Sequence, residues 1–173
     1  MNKNIILRFH VISTIFVMIL GVLFHFTYDW SGKNIIVGFF SATNESTWEH
    51  LKLIFFPMFI SSVVGFLVLG KSIMNYWCAR LKGIVSAMVF TVVFFYTYIG
   101  VLGYNIDIIN ILTFFVAVLI GEFISYSFMV SNKSCNNISS AIGLMVIFAL
   151  FILFTYSNPD IGLFREPNHI SLK

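Results

Sequence analysis

The chain has 173 residues, 59% of them hydrophobic and only 10% charged, with a mean hydropathy of +0.95. Soluble domains carry about 25% charged residues, so this composition excludes a water-surrounded globule and makes the bilayer the expected solvent. Ten Lys and Arg against seven Asp and Glu give a net charge of +3, too small and too scattered for nucleic-acid binding.

The expected fold is all-α, a single polytopic membrane bundle over residues 1–173 with five transmembrane helices. The first apolar run covers about residues 5–26, long enough to cross a core of roughly 30 Å as a helix. It ends in Thr27-Tyr28-Asp29-Trp30 without an Ala-x-Ala cleavage signal, so it reads as a retained span rather than a secretory leader. The loop after it holds the apolar piece Ile35 to Phe40, too short to span, which suits the interface or a dip back between helices. The second span is expected over 51–69, with Pro57 removing one backbone hydrogen bond inside it. A polar connection with Lys71, Arg80 and Lys82 leads to spans at 84–102, 108–130 and 139–156. Several Gly and Ser residues, Gly65 and Gly121 among them, offer small surfaces for close helix packing.

Five spans put the termini on opposite sides. With the amino terminus inside, Lys3, Arg8, Lys71, Arg80, Lys82 and Lys133 are cytoplasmic, and Lys33, Lys52, Arg165 and Lys173 are outside. That asymmetry sets the amino terminus in the cytoplasm and the carboxyl terminus outside. The abundance of Asn and Ile fits an AT-rich bacterial genome, hence an inner membrane. Cys78 and Cys135 form no C-x-x-C motif and fall on the cytoplasmic side, so two reduced, incidental thiols are expected.

Chemistry concentrates in Asn44-Glu45-Ser46-Thr47-Trp48-Glu49-His50-Leu51-Lys52, ahead of the second span. Ser46-Thr47-Trp48-Glu49 has the form of a capping box. Trp48 suits the interface, and Lys52 can snorkel towards it. That account leaves Glu45 unexplained. At helical spacing Glu45 and Glu49 share a face, as do Ser46 and His50. Two carboxylates held together can exchange a proton, or bind a hard cation or an amine. Glu45, Glu49 and His50 are therefore the candidate catalytic residues, with Asn44, Ser46, His25 and Asp29 as candidate ligand-binding groups in one outer cup. The pattern is not H-E-x-x-H, and neither a metal nor any other cofactor is expected. Asp107, Asp160 and His169 fall at the same outer level, the two aspartates in turns that favour Asp.

Glu122 lies deep in the fourth span, where an ionisable group costs a few kcal/mol and needs a partner. Arg8 and His10 are the natural candidates.

The stretch 44–52, preceded by His25-Phe26-Thr27-Tyr28-Asp29-Trp30, resembles a family of small bacterial integral membrane proteins of unknown function. The tail Leu163-Phe164-Arg165-Glu166-Pro167 is similar to a Leu-Phe-x-Asp-Pro ending in that family, with Glu166 in place of Asp. The resemblance implies a membrane protein and singles out 44–52, but brings no activity. Membrane hydrolases that bind zinc through His and Asp are a looser likeness, and their paired-histidine pattern is missing.

Three functional readings remain. The first is a carboxylate and histidine site at the outer face that binds a small polar or cationic ligand or exchanges protons. The second is a non-catalytic partner of another membrane protein, in which 44–52 is helix cap and docking surface. The third is a metal-dependent membrane hydrolase. The lipid bilayer is the one partner common to all, and nothing in the sequence sets an oligomeric state.

Overall fold

The computed structural model describes residues 3–131 and 133–167, without the side chain of Lys71; His169 and Lys173 lie outside them. Among the described residues there are six α-helices and no strand: α1 (Lys3–Trp30), α2 (Ile35–Gly38), α3 (Thr47–Val68), α4 (Tyr76–Leu102), α5 (Asp107–Val130) and α6 (Asn137–Phe154). All but α2 are long and apolar enough to cross a membrane. Apolar side chains such as Ile12, Val64, Val93, Ile111 and Val146 stay exposed along them, as expected of a surface that meets lipid rather than water.

α3 is the central helix. Phe55, Phe56, Met58 and Ile54 on it are completely or almost completely buried, and it packs against α1 on one side and α4 on the other. α4 and α5 form the closest pair, because Gly83 and Gly121 face one another. A Cβ added to either would sit 2.5–2.8 Å from the other's carbonyl oxygen. The sequence reading counted Gly121 among the small packing residues but not Gly83. α6 joins through large rings instead, Phe148 and Phe151 meeting Phe55, Phe56 and Phe59 at centroid distances of 5.0–5.8 Å.

Pro57 sits inside α3 and leaves the Leu53 carbonyl without its helical donor. α1 closes on that carbonyl through Gly21, where a Cβ would stand 2.6 Å from the Leu53 oxygen and 2.5 Å from Phe114. Only glycine allows an approach this close.

Four sequence expectations need correction. The third span starts at Tyr76, not at 84. Arg80 looked like a loop charge, but it is fully buried and its guanidinium is neutralised inside the bundle. Lys52 does not snorkel outward, for it too is fully buried, held by Glu49 and two loop carbonyls. The cysteines are not free thiols but joined, Cys78 to Cys135, with Cα atoms 6.2 Å apart. They meet because Asn137 takes the Cys78 N–H at 3.2 Å and donates to Met74, which folds the loop before α6 onto the start of α4.

That end of the bundle gathers the start of α1, the α3–α4 turn and the α5–α6 loop, with Ile6, Ile73, Tyr76 and Met129 in one cluster. The candidate site lies at the opposite end, among the end of α1, the start of α3 and the α4–α5 turn.

Candidate functional site at the end of the bundle

Ser46 is the N-cap of α3. Its backbone is extended and its hydroxyl accepts the Glu49 N–H at 3.4 Å. Only half of the expected capping box forms. The Ser46 N–H goes to the Asn44 side chain at 2.9 Å, so Glu49 is free to turn elsewhere. One Glu49 carboxylate oxygen accepts the Thr43 N–H at 2.8 Å, the Thr43 hydroxyl at 2.9 Å and the Lys52 ammonium at 2.7 Å. Lys52 also donates to Gly38 at 2.9 Å and Ser41 at 3.5 Å. This buried pair therefore clamps the 38–43 loop to the first turns of α3.

The expected Glu45–Glu49 pair does not form, and the reason is local. Glu45 precedes the N-cap, so it is not on the helix, and the four-residue face rule does not apply to it. It turns back over the helix start, where its Oε2 lies 3.4 Å from His50 Nε2. His50 Nδ1 donates to the Ser46 carbonyl at 3.0 Å. Across the gap, the His25 ring on α1 comes within 5.4 Å of the His50 ring, centroid to centroid. One ligand atom from each of His25, Glu45 and His50 falls within 4.8 Å of the others.

These residues edge a cleft of about 520 Å³ between α1, α3 and α5, lined by Gly21, Val22, His25, Phe26, Glu45, His50, Leu53, Asp107, Asn110, Ile111 and Phe114. A smaller lobe of about 90 Å³ shares Glu45, His50, Asp107 and Asn110 and reaches Asn105, Thr113 and Pro167. The Tyr98 hydroxyl donates to Asn105 at 2.5 Å and contacts Asn110, whose amide donates to Asn105 at 2.8 Å. The α4–α5 turn is thus fixed by its own side-chain hydrogen bonds. Asn105 and Asn110 were not among the sequence candidates. The sequence signal for Asn110 was an asparagine in the first turn of an otherwise apolar helix, and Asn105 lies two residues before that helix.

Of the candidates, then, His25, Glu45 and His50 come together. Asn44, Ser46 and Glu49 act as cap and loop clamp, and Asp29 sits exposed on the last turn of α1, outside the cleft lining. Asp107 opens α5 and lines the cleft, beyond the turn role expected of it. The tail closes over the same end. Its short 3-10 turn (Gly162–Phe164) brings Phe164 onto Trp48 at 4.7 Å, and Trp48 also packs on Phe151 and Phe154 of α6.

Glu122 occupies a separate site in the middle of the bundle. Both of its oxygens meet the Arg80 guanidinium, at 2.8 and 3.0 Å. His10 Nδ1 adds a bond at 2.5 Å and the Ser13 hydroxyl another at 2.8 Å. Of the two expected partners His10 is present, whereas Arg8 is exposed on α1. Arg80 was missed. The spacing of Arg80, Gly83 and Ala87, all buried on one stripe of α4, is the sequence signal that puts it on the face towards α5.

No curated protein and no solved structure matches the chain. A family model does match, over residues 1–170, with the description "Family of unknown function (DUF6512)". It covers nearly all of the sequence and both stretches that meet at the cleft, 44–52 and the tail, and the chain belongs to the DUF6512 family.

Proposed function

We propose that this chain is a multi-pass protein of a bacterial inner membrane, amino terminus in the cytoplasm, whose outer-face cleft binds a small polar or cationic ligand or exchanges a proton with it. The observation that carries this reading is the convergence of His25, Glu45, His50, Asp107 and Asn110 on one cleft whose lining includes no Lys or Arg among the described residues. Two carboxylates without a basic neighbour favour a positively charged guest. Part of the wall, Val22, Phe26 and Ile111, is also exposed on the apolar flank of the bundle. That gives the cleft a second way in from the bilayer.

The test uses thiol reagents of opposite charge on Asn110→Cys, in a background with Cys78 and Cys135 both replaced by Ala. A trimethylammonium thiosulfonate should react about tenfold faster than a sulfonate one, since each 1.4 kcal/mol of local potential is a factor of ten. Adding Glu45→Gln should shrink the preference. Equal rates, or no reaction at position 110, would remove the reading.

Orientation has two opposed indicators. Lys52 and Arg80 are buried and drop out of the loop count, leaving Lys3, Arg8, Lys71, Lys82 and Lys133 at the amino-terminal end against Lys33, Arg165 and, by sequence, Lys173 at the other. This supports the amino terminus inside. The Cys78–Cys135 bond lies at that same basic end, although disulfides persist mainly on the oxidising side. Blocking thiols in intact cells with a permeant maleimide decides it. Free, alkylated cysteines fit the proposed orientation, and a surviving bond inverts it.

A further inference from the structure

We infer that His25, Glu45 and His50 form a three-ligand site for a divalent transition metal of the zinc type, with the fourth position opening into the cleft. This rests on the cleft reading above and names the cation.

The argument begins at His50. A carbonyl oxygen only accepts, so the 3.0 Å bond to Ser46 fixes the proton on Nδ1. In the neutral ring Nε2 then carries a lone pair, and it is aimed at a carboxylate oxygen 3.4 Å away. Two electron-rich atoms at that separation need a positive charge between them, either a proton or a metal ion. A backbone carbonyl on the far ring nitrogen is also the usual way in which a metal-binding histidine has its tautomer and ring direction set.

His25 is what favours the ion over the proton. A proton shared by His50 and Glu45 needs no third group, yet the His25 ring is brought up to His50, and its Nδ1 is buried without a hydrogen-bond partner among the described residues. A tetrahedral ion with bonds of about 2.0–2.1 Å holds its ligand atoms about 3.4 Å apart. The His50–Glu45 separation is already 3.4 Å, and the set of three lies within 4.8 Å. Side-chain rotation alone closes the remainder, because Glu45 is an exposed side chain on a turn and neither histidine is fully buried. Two imidazoles and one carboxylate suit zinc and its neighbours rather than magnesium or calcium, which prefer all-oxygen shells. Three protein ligands with an open fourth position are the arrangement of catalytic rather than structural zinc. Asp107 and Asn110 line the cleft beside that open position.

The test is calorimetric titration of Zn²⁺ into the full-length protein in detergent, after removal of bound ions with EDTA and exchange into chelator-free buffer. One ion per chain is expected, and Co²⁺ in its place should give the absorption bands of a tetrahedral site. Affinity should fall by at least about 100-fold in each of His25→Ala, Glu45→Gln and His50→Ala, the upper end of what losing a mere outer-shell partner does. It should stay unchanged in Asp29→Asn. A readout on the unmutated protein removes any dependence on variant folding: Zn²⁺ should slow diethyl pyrocarbonate modification of His25 and His50, mapped by mass spectrometry, but not of His10. No zinc uptake, uptake indifferent to the three substitutions, or unprotected histidines would overturn the metal site. If the cationic reagent still prefers position 110 in that case, the cleft reading stands and a proton bridges His50 and Glu45. Failure of both experiments removes both readings.

Discussion

At the middle of the bundle Arg80 spends every N–H it has. Its Nε meets Ser62, one terminal nitrogen meets Glu122 and Ser125, and the other meets Glu122, Ser61 and the Met58 carbonyl. At the end of the bundle Glu45 and His50 share a single 3.4 Å contact, with side chains 57% and 32% exposed, and His25 Nδ1 has no hydrogen-bond partner among the described residues. Both sites combine a carboxylate with imidazole, but at the first the carboxylate and guanidinium are fully bonded and only His10 Nε2 lacks a partner among the described residues, whereas the second is open and incomplete. A buried network whose carboxylate and guanidinium already bond one another on every side favours a structural role, fixing how α1, α3, α4 and α5 meet. Unspent donors and acceptors beside a cleft are what a ligand can use.

The largest effect should therefore come from the buried Arg80–Glu122 site. Arg80→Met leaves Glu122 buried against His10 and Ser13 without its main counter-charge, and removing one partner of a buried pair costs about 3–5 kcal/mol. The expected result is collapse of the monodisperse gel-filtration peak in mild detergent and a marked drop in melting temperature. Arg80→Met combined with Glu122→Leu should recover part of the loss, since no uncompensated charge remains. A melting temperature for Arg80→Met within error of the unmutated protein would show that Glu122 is satisfied by His10 alone.

The Glu49–Lys52 clamp stands between the two extremes. It is buried and well bonded on one carboxylate oxygen, while the other, Oε1, has no hydrogen-bond partner among the described residues. Lys52→Met removes one of three donors to Glu49 and both loop contacts, and about 2–3 kcal/mol is expected, because Thr43 still supplies two bonds. The loss should be local as well as global, with proteolytic cutting appearing between residues 38 and 46. Intact resistance there would mean that the loop is held by its packing, such as Phe40 on Phe56, and not by the clamp.

Most of the fold was legible because long apolar runs follow a coarse rule. A run of some 20 apolar residues must be a helix, and the starts and ends of the long helices fall within a few residues of expectation except at α4. α4 was misjudged because hydropathy cannot tell a loop arginine from a buried one. That depends on Glu122, 42 residues further along the chain. The site was half legible. The sequence picked out 44–52 and His25, but it assumed that helical spacing already held at Glu45, one residue ahead of the Ser46 cap. That one-residue error paired Glu45 with Glu49, whereas the turn brings it to His50. The contribution of α5 to the cleft was hidden for a different reason. Asp107, Asn105 and Asn110 look like ordinary turn residues, and only tertiary packing brings that turn over the start of α3.

Glu45→Gln should have the smallest effect on stability and the sharpest on chemistry, which is the strictest form of the contrast between the two sites. The side chain is more than half exposed and precedes the helix. Its removal leaves the Ser46 cap, the Asn44 bond and the Glu49–Lys52 clamp untouched, so the expected change lies within about 0.5 kcal/mol. The amide keeps the size of the group but has no charge to hold a cation against His50. The variant should therefore melt like the parent while losing the charge preference at position 110 and the zinc uptake. If it unfolds instead, Glu45 belongs with Glu49 and Glu122 as a structural carboxylate, and the open site at the end of the bundle is only a gap between helix caps.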